Sequence, residues 1–249
     1  MPEDLRLFLT HAQAQAAIRA DLVQYAPQKP LFRELSPILL GKHTVVDDDD
    51  ASGLWLETGK LGKMKKIAWS ALREQLCNAV GSLTLNLPEI ANLLSRVFET
   101  PATVGTDTSG RQKGIWLETG MADFSCRLCG RCCRSLDYHD QCTVQDIRRW
   151  RLAGRRDLIA RARPVTRGGR IDHYRIWTSA DGKHTRQTCP WLQSAGNNQF
   201  ICSIQAHKPE ICRQYPGSLK HARMTGCSGF NGTGPITEPC TPPSCRRGH

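Results

Sequence analysis

Leu5, Leu9, Ala12, Ala16 and Ile18 recur near helical spacing with few breakers between them, which predicts an amphipathic helix from Glu3 to Tyr25, ended by Pro27 and Pro30. Ser70 to Val80 reads as a second helix. A third opens at Pro88-Glu89, where a first helical turn tolerates proline, and runs to about Glu99 before Pro101. Between the helices the pattern becomes extended. Gly53-Leu54-Trp55-Leu56-Glu57-Thr58-Gly59 returns as Gly114-Ile115-Trp116-Leu117-Glu118-Thr119-Gly120, identical at six of seven positions and offset by 61. Thr44-Val45 and Thr103-Val104, each followed by a turn-rich stretch, precede the two copies, so each repeat reads as a helical segment followed by a strand pair. The expected product is one small sheet of quasi-twofold symmetry with Trp55 and Trp116 buried in equivalent places. The second strand is expected to lead straight through Phe124-Ser125 into Cys126.

The second half is punctuated differently. Thr143 can cap a helix that runs through Val144, Ile147, Trp150 and Leu152 to Gly154, with Asp146 at the capping-box position. A further helical stretch, Arg156 to Arg163, stops at Pro164. Ile171 to Thr178 and His184 to Thr188, around Ala180-Asp181-Gly182, read as a hairpin ending on Cys189-Pro190-Trp191-Leu192, and Asn197-Asn198 turns the chain into Gln199 to Ile204. Two strand ends then carry Cys189 and Cys202 to one place. His207 to Pro216 reads as a short helical turn. The fold class is α+β: a small irregular metal-cluster domain of short helices and hairpins over residues 122–230, preceded by a duplicated helix-plus-hairpin region over 1–121 and followed by a flexible tail over 231–249.

At 249 residues the chain has enough length to bury a core without cross-links. Glu3 and Asp4 stand where a secretory signal needs positive charge, and no run of about 18 apolar residues occurs, so the sequence predicts a cytoplasmic address and no membrane span. In a reducing compartment its twelve cysteines point to metal or catalysis ahead of disulfides. Charge is divided unevenly. Residues 1–125 carry 13 Lys+Arg against 15 Asp+Glu, whereas residues 126–249 carry 21 against 8. The basic half is the cysteine half. Arginines such as Arg131 and Arg134 are expected to offset the charge of thiolate-rich sites; a footprint for nucleic acid is the competing reading.

Cys126, Cys129, Cys132 and Cys133 put four thiols into eight residues, and Cys189, Cys202, Cys212 and Cys227 follow singly. All eight are candidate metal or cluster ligands. The adjacent side chains of Cys132 and Cys133 are expected to diverge, which suggests two neighbouring sites or one site with a thiol beside it. Zinc accepts such thiolate tetrahedra. The Cys126-x2-Cys129-x2-Cys132 spacing with a distant Cys189-Pro190 also suits iron–sulfur, as one or two 4Fe–4S clusters, and one crowded loop followed by single cysteines favours that cofactor over zinc. Cys77 reads as a buried small hydrophobe, Cys142 with His139 as a candidate extra ligand pair, and Cys240 and Cys245 as tail thiols without a role, ahead of a mobile pair that hands metal or electrons on. The sequence holds no Gly-x4-Gly-Lys loop and no Gly-x-Gly-x2-Gly fingerprint.

Phe124-x-Cys126-x2-Cys129-Gly130-x-Cys132-Cys133-Arg134, Thr143-x2-Asp146-Ile147, Cys189-Pro190-Trp191-Leu192, Cys202-Ser203-Ile204 and Lys208-Pro209-Glu210-Ile211-Cys212-Arg213-Gln214-Tyr215-Pro216 together resemble the YkgJ-type cysteine-cluster family of zinc- or iron-chelating domains. The resemblance covers about residues 122–230. That family includes flagellin lysine N-methylases, so the resemblance implies that a cluster-dependent protein methyltransferase is among the activities to expect. Ser135 to Cys142 departs from the family pattern as an insertion, and the repeat half has no counterpart in it. Three function classes follow: an iron–sulfur protein that modifies another protein or does redox chemistry, with Tyr215 or Arg213 positioning substrate; a non-enzymatic metal or cluster carrier; and a zinc-stabilised nucleic-acid binder. A protein partner or protein substrate is favoured, nucleic acid is not, and no membrane is expected.

Overall fold

The repeats govern the first half of the molecule, and they close in an order that the sequence does not announce. A computed structural model describes residues 5–41, 45–46, 52–58, 63–136, 138–178 and 188–230. The chain divides between residues 120 and 121 into two units. The fold is α+β, with short antiparallel sheets in both units.

The first unit contains β1 (Arg6–Leu9), α1 (His11–Gln24), α2 (Lys29–Leu39), β2 (Val45–Val46), β3 (Gly53–Thr58), β4 (Lys63–Ala68), α3 (Trp69–Ser82), α4 (Leu87–Phe98), β5 (Ala102–Thr106) and β6 (Lys113–Glu118). Two three-stranded sheets form, with orders β2-β3-β4 and β1-β6-β5. Each repeat strand is therefore central in its own sheet, and the expectation of one shared sheet is corrected. The first copy runs α2-β2-β3-β4-α3 without interruption. The second runs α4-β5-β6 and takes its third strand and last helix, β1 and α1, from the start of the chain. Registers agree: Leu54, Trp55 and Leu56 face Ile67, Lys66 and Lys65, as Ile115, Trp116 and Leu117 face Leu9, Phe8 and Leu7. The helices repeat the equivalence, since α1 packs on α3 and α4 while α3 packs on α1 and α2.

This closure explains the first glycine of the repeat. A Cβ on Gly53 would collide with the carbonyl of Ile67, and one on Gly114 with the carbonyl of Leu9, so both third strands approach where only glycine leaves room. It also explains why the predicted Glu3–Tyr25 helix starts late. Leu5 and Leu9 do not continue its stripe; residues 6–9 pair with β6, and Thr10 caps α1 in a reciprocal arrangement with Gln13. Helix α2 was hidden by proline. Pro30 occupies its first turn, where a missing N–H costs nothing, and Pro37 lies inside it, beside the Ser36 hydroxyl that donates to the Phe32 carbonyl at 2.6 Å. By contrast α3 and α4 fall where the apolar pattern places them, the latter capped by Asn86 with Glu89 returning the bond.

Alternation along the repeat strands also sets which face is dry. Leu54, Leu56, Ile115 and Leu117 are buried, together with Ile18, Leu22, Phe32, Leu35, Leu72, Leu76 and Leu94 from the helices. Trp55 and Trp116 point to the opposite face and are only half-buried, so the expectation that they are core residues is corrected by the two-residue period of the strand. Trp116 is held there by Phe8, edge-on at 5.2 Å, by Arg6 over its ring, and by donation from its indole N–H to the Thr106 carbonyl. Cys77 is buried on α3, as a small hydrophobe should be.

The second unit contains α5 (Arg131–Ser135), α6 (Val144–Leu152), α7 (Arg156–Ile159), β7 (Arg163–Arg167), β8 (Arg170–Arg175), β9 (Leu192–Gly196), β10 (Gln199–Cys202), α8 (Glu210–Arg213) and α9 (Leu219–Met224). The helix expected from Arg156 to Arg163 stops at Ile159, and Pro164 lies within β7. Strand β8 is indeed extended, but it pairs backwards with β7 through Gly168-Gly169; the predicted turn at 180–182 lies outside the described residues. Asn197 and Asn198, both with positive φ, turn β9 into β10. Trp150, Trp177, Ile147, Leu158, Ile176, Trp191 and Ile204 form the core, with Trp150 edge-on to Trp191 at 6.3 Å and its indole N–H donating to the His207 carbonyl at 2.8 Å. Among the described residues no helix is long and apolar enough to cross a membrane.

The face assignment in the repeats is testable by urea unfolding. Ile115→Ala should cost about 2–5 kcal/mol, as for a fully buried aliphatic side chain, and Trp116→Leu markedly less; the reverse order would place the tryptophan, not the isoleucine, in the core.

Candidate metal centre

The cysteine loop is a backbone construction. Leu128 and Gly130 both take left-handed conformations, with φ of 53° and 65°, and curl residues 126–130 so that α5 begins at Arg131. A Cβ on Gly130 would press into the Phe200 ring at 3.0 Å. Strand β10 holds the curl, because the Phe200 N–H donates to the Leu128 carbonyl at 2.7 Å. Arg134 closes it: its guanidinium donates to the Cys129 carbonyl at 2.7 Å and lies over Phe200, 4.5 Å from the ring centre. Arg131 likewise donates to the Thr225 carbonyl at 3.2 Å. Both arginines therefore clamp the loop through backbone carbonyls. A cation that does lie beside the thiols is Lys208, whose charge favours the thiolates of Cys132 and Cys212.

Five of the eight expected ligands line one cavity of about 40 Å³: Cys132 and Cys133 from the first turn of α5, Cys189 before β9, Cys202 at the end of β10, and Cys212 on α8. Tyr138, Trp177, Trp191, Ile204, Pro209 and Tyr215 wall it, so it is dry and aromatic apart from Lys208. Backbone bonds bring the segments together. The Cys189 N–H donates to the Cys133 carbonyl at 2.9 Å, and the Ser203 N–H to the Trp191 carbonyl at 2.8 Å. The divergence expected of Cys132 and Cys133 does not occur. Their sulfurs are 3.9 Å apart and share the cavity, because neighbours on a helical turn that faces a concave wall both reach it.

Cys227 is placed elsewhere, with Cys126 and Cys129. The Ser125 N–H donates to the Gly229 carbonyl at 2.8 Å, Phe124 packs on Phe230 at 5.4 Å, and the Cys227 thiol feels the charges of Cys129 and Cys126. Strand β6 ends at Glu118, so the loop is delivered by these contacts within its own unit and not directly by the repeat. Tyr215 stands between the two groups: it hydrogen-bonds with Thr225 Oγ1 at 2.8 Å, touches Cys227, and lines the five-thiol cavity. Arg213, the other expected substrate-positioning residue, is paired with Glu210 at 2.8 Å.

Cys142 does not join His139. It is fully buried in the core between Asp146 and a two-way backbone bridge to Tyr174, whereas His139 lies on Trp177 and beside Asp140. Cys240 and Cys245 lie outside the described residues.

Asp146 does more than the capping box predicted. One carboxylate oxygen accepts from the Thr143 N–H and hydroxyl, both at 2.8 Å. The other accepts from the Glu210 N–H at 2.9 Å and from Arg149, which also reaches Glu210 at 3.1 Å. A fully buried carboxylate thus ties the start of α6 to the start of α8, two residues before Cys212. The sequence showed its spacing from Thr143 and gave no sign of its second partner 64 residues away.

Three of the cavity thiols, Cys132, Cys133 and Cys212, resist ionisation. Cys132 is raised well above the ordinary thiol range by its hydrogen bond to Cys133 and by burial. Cys133 gains from accepting that bond, but its own bond to Cys189, burial and the neighbouring thiols outweigh the gain and push it up to about 12. Burial and then Cys133, Cys132 and Cys202 raise Cys212. Without a bound cation Cys132, Cys133 and Cys212 therefore stay neutral thiols, and a metal must displace their protons. Among the described residues no three Cys, His or carboxylate side chains converge on a single point that would hold one ion. The donor chemistry, five thiols and one ammonium in an aromatic pocket, fits a thiophilic metal and does not fit a hard cation such as magnesium or calcium.

An apolar pocket lined by cysteines from four separate segments has the donor chemistry of a thiolate-liganded metal site. Residues 125–230, a little under half the chain, match the family model CxxCxxCC, whose description reads "Putative zinc- or iron-chelating domain". No curated protein and no solved structure matches the chain.

Two outcomes follow. Asp146→Ala strands a cap N–H and the Glu210 N–H, so unfolding of the second unit should become easier by about 2–4 kcal/mol and metal affinity should drop with the displacement of Cys212; unchanged values in both measurements would remove Asp146 from the support of the site. The pH dependence has a definite sign. Below a pH of about 8.5 the folded and unfolded metal-free chains keep the same thiol protons; above it the unfolded chain releases them first. The metal-free second unit should lose stability as pH rises from about 8.5 toward 12, whereas metal affinity should rise with pH, with proton release visible by calorimetry in buffers of different ionisation enthalpy.

Proposed function

We propose that residues 122–230 hold an iron–sulfur centre, of one or two 4Fe–4S clusters, in a cytoplasmic protein that modifies another protein or performs redox chemistry. The observation that carries this reading is the meeting of five thiols from four segments in one aromatic cavity, one more than a single tetrahedral ion takes. The Cys126-x2-Cys129-x2-Cys132 run with the distant Cys189-Pro190 suits iron–sulfur ligation. When bound, such a cluster supplies one-electron chemistry. The chain's own groups would set its surroundings: Trp177, Trp191, Tyr138 and Tyr215 exclude water, Lys208 offsets thiolate charge, and Arg134 and Asp146 hold the loop and α8 in register. The three outer cysteines, Cys126, Cys129 and Cys227, are too few for a second cluster unless Cys132 turns to them. A reducing cytoplasm keeps all of these residues as thiols.

One observation favours zinc. The 3.9 Å separation of Cys132 and Cys133 sulfurs is close to the edge of about 3.8 Å that a tetrahedron with 2.3 Å zinc–sulfur bonds requires.

Anaerobic purification separates the two readings. A brown protein with iron and acid-labile sulfide in the ratio of four-iron clusters is expected, with loss of both in Cys133→Ser and Cys212→Ser and full retention in Cys77→Ser. Stoichiometric zinc without sulfide in anaerobic material would overturn the cluster.

A further inference from the structure

Residues 143–178 hold ten arginines and three acidic residues. Each of those acids is already engaged: buried Asp146 with Arg149, Asp157 with Arg155, and Asp172 with His173. Arg161 and Arg163 are spent on backbone carbonyls, and Arg175 on Asp140. Five remain. Arg148, Arg151, Arg156, Arg167 and Arg170 are exposed, and their side chains have no hydrogen bond, ion pair or ring contact among the described residues. Guanidinium groups without carboxylates leave a positive field that no carboxylate among the described residues of this stretch cancels.

Their placement is not scattered. Arg148, Arg151 and Leu152 share one face of α6, being spaced by three and four residues, while Asp146, Ile147 and Trp150 turn inward. Arg167 and Arg170 flank the Gly168-Gly169 tip of the β7–β8 hairpin. Strand β8 packs against α6, and its Tyr174 exchanges two backbone hydrogen bonds with Cys142, directly before the α6 cap. Helix face and hairpin are thus one stitched surface.

The second property of this surface is apolar. Leu152, next to Arg151, is 91 % exposed, and Ile171, next to Arg170, is 46 % exposed. Phosphate backbones offer such side chains nothing to pack on. Single-stranded bases would need stacking rings, and no aromatic ring in the described part of this unit is exposed. An acidic segment that also carries leucines satisfies both properties at once, pairing its carboxylates with the free guanidiniums and covering the two aliphatic side chains.

We propose that the α6 face and the β7–β8 hairpin dock an acidic, leucine-bearing segment of a partner protein. The reading is independent of which metal the cysteines hold.

Fluorescence anisotropy with the full-length, metal-loaded protein tests it, using a labelled synthetic peptide of repeated Glu-Glu-Leu triplets. Saturable binding is expected that weakens as salt shortens the screening length from about 10 Å at 0.1 M to about 3 Å at 1 M. The matching Glu-Glu-Ser peptide should bind about tenfold more weakly or worse, since the leucine contacts are lost. Arg151→Glu with Arg170→Glu, and separately Leu152→Ser, should each weaken the Glu-Glu-Leu peptide about tenfold while metal content and circular dichroism stay unchanged. These positions are exposed and outside the core, so the variants fold. Equal binding of the two peptides, tighter binding of a DNA duplex or single-stranded RNA of equal charge, or unaltered affinity in the variants would each overturn the proposal.

Discussion

Thiols crowded into a dry pocket can be folded around only while they stay neutral, and they can hold a metal only once they are not. The second unit is arranged around that conflict. Its walls are aromatic, which keeps the metal-free pocket compact and raises the cost of each thiolate. Lys208 lowers that cost for Cys132 and Cys212 without removing it. The remaining charge must be met by the bound ion or cluster, so occupancy and the protonation of the cavity are a single equilibrium.

Rigid support makes this workable. Several of the cysteines are held through backbone contacts: Cys133 is tied to Cys189 through backbone, Cys129 to Arg134, and Cys212 through α8 to Asp146. The basic residues that the sequence shows interleaved with the ligands turn out to grip carbonyls. Positive charge near a thiolate motif can therefore be architectural, and the electrostatic role passes to a lysine 75 or more residues downstream of the loop.

Local signals were legible where one short stretch decides the outcome. The caps of α4 and α6, the Asn197-Asn198 turn and the meeting of Cys189 with Cys202 all rest on a few neighbouring residues. What escaped depends on distant partners. Residues 6–9 look helical until β6 exists to pair with them; Trp55 and Trp116 look like core until the third strand fixes which face is dry; and the separation of Cys227 from the five-thiol cavity follows from Phe124 meeting Phe230 across the whole unit. The eight cysteines announced metal chemistry, and their grouping was a property of the fold.

The second repeat is completed by the first strand and helix of the chain, with Arg6 opposite Glu118. A ribosome delivers β1 and α1 long before β6, so for the synthesis of more than a hundred residues the exposed strand has no edge to join. The intact first copy, α2 through α3, becomes available far earlier and can serve as the surface on which α1 waits. The circular order of the repeat thus trades fast local closure for a lock set last: joining the ends fixes both copies at once, and its long chain separation slows that step without weakening the finished unit in proportion.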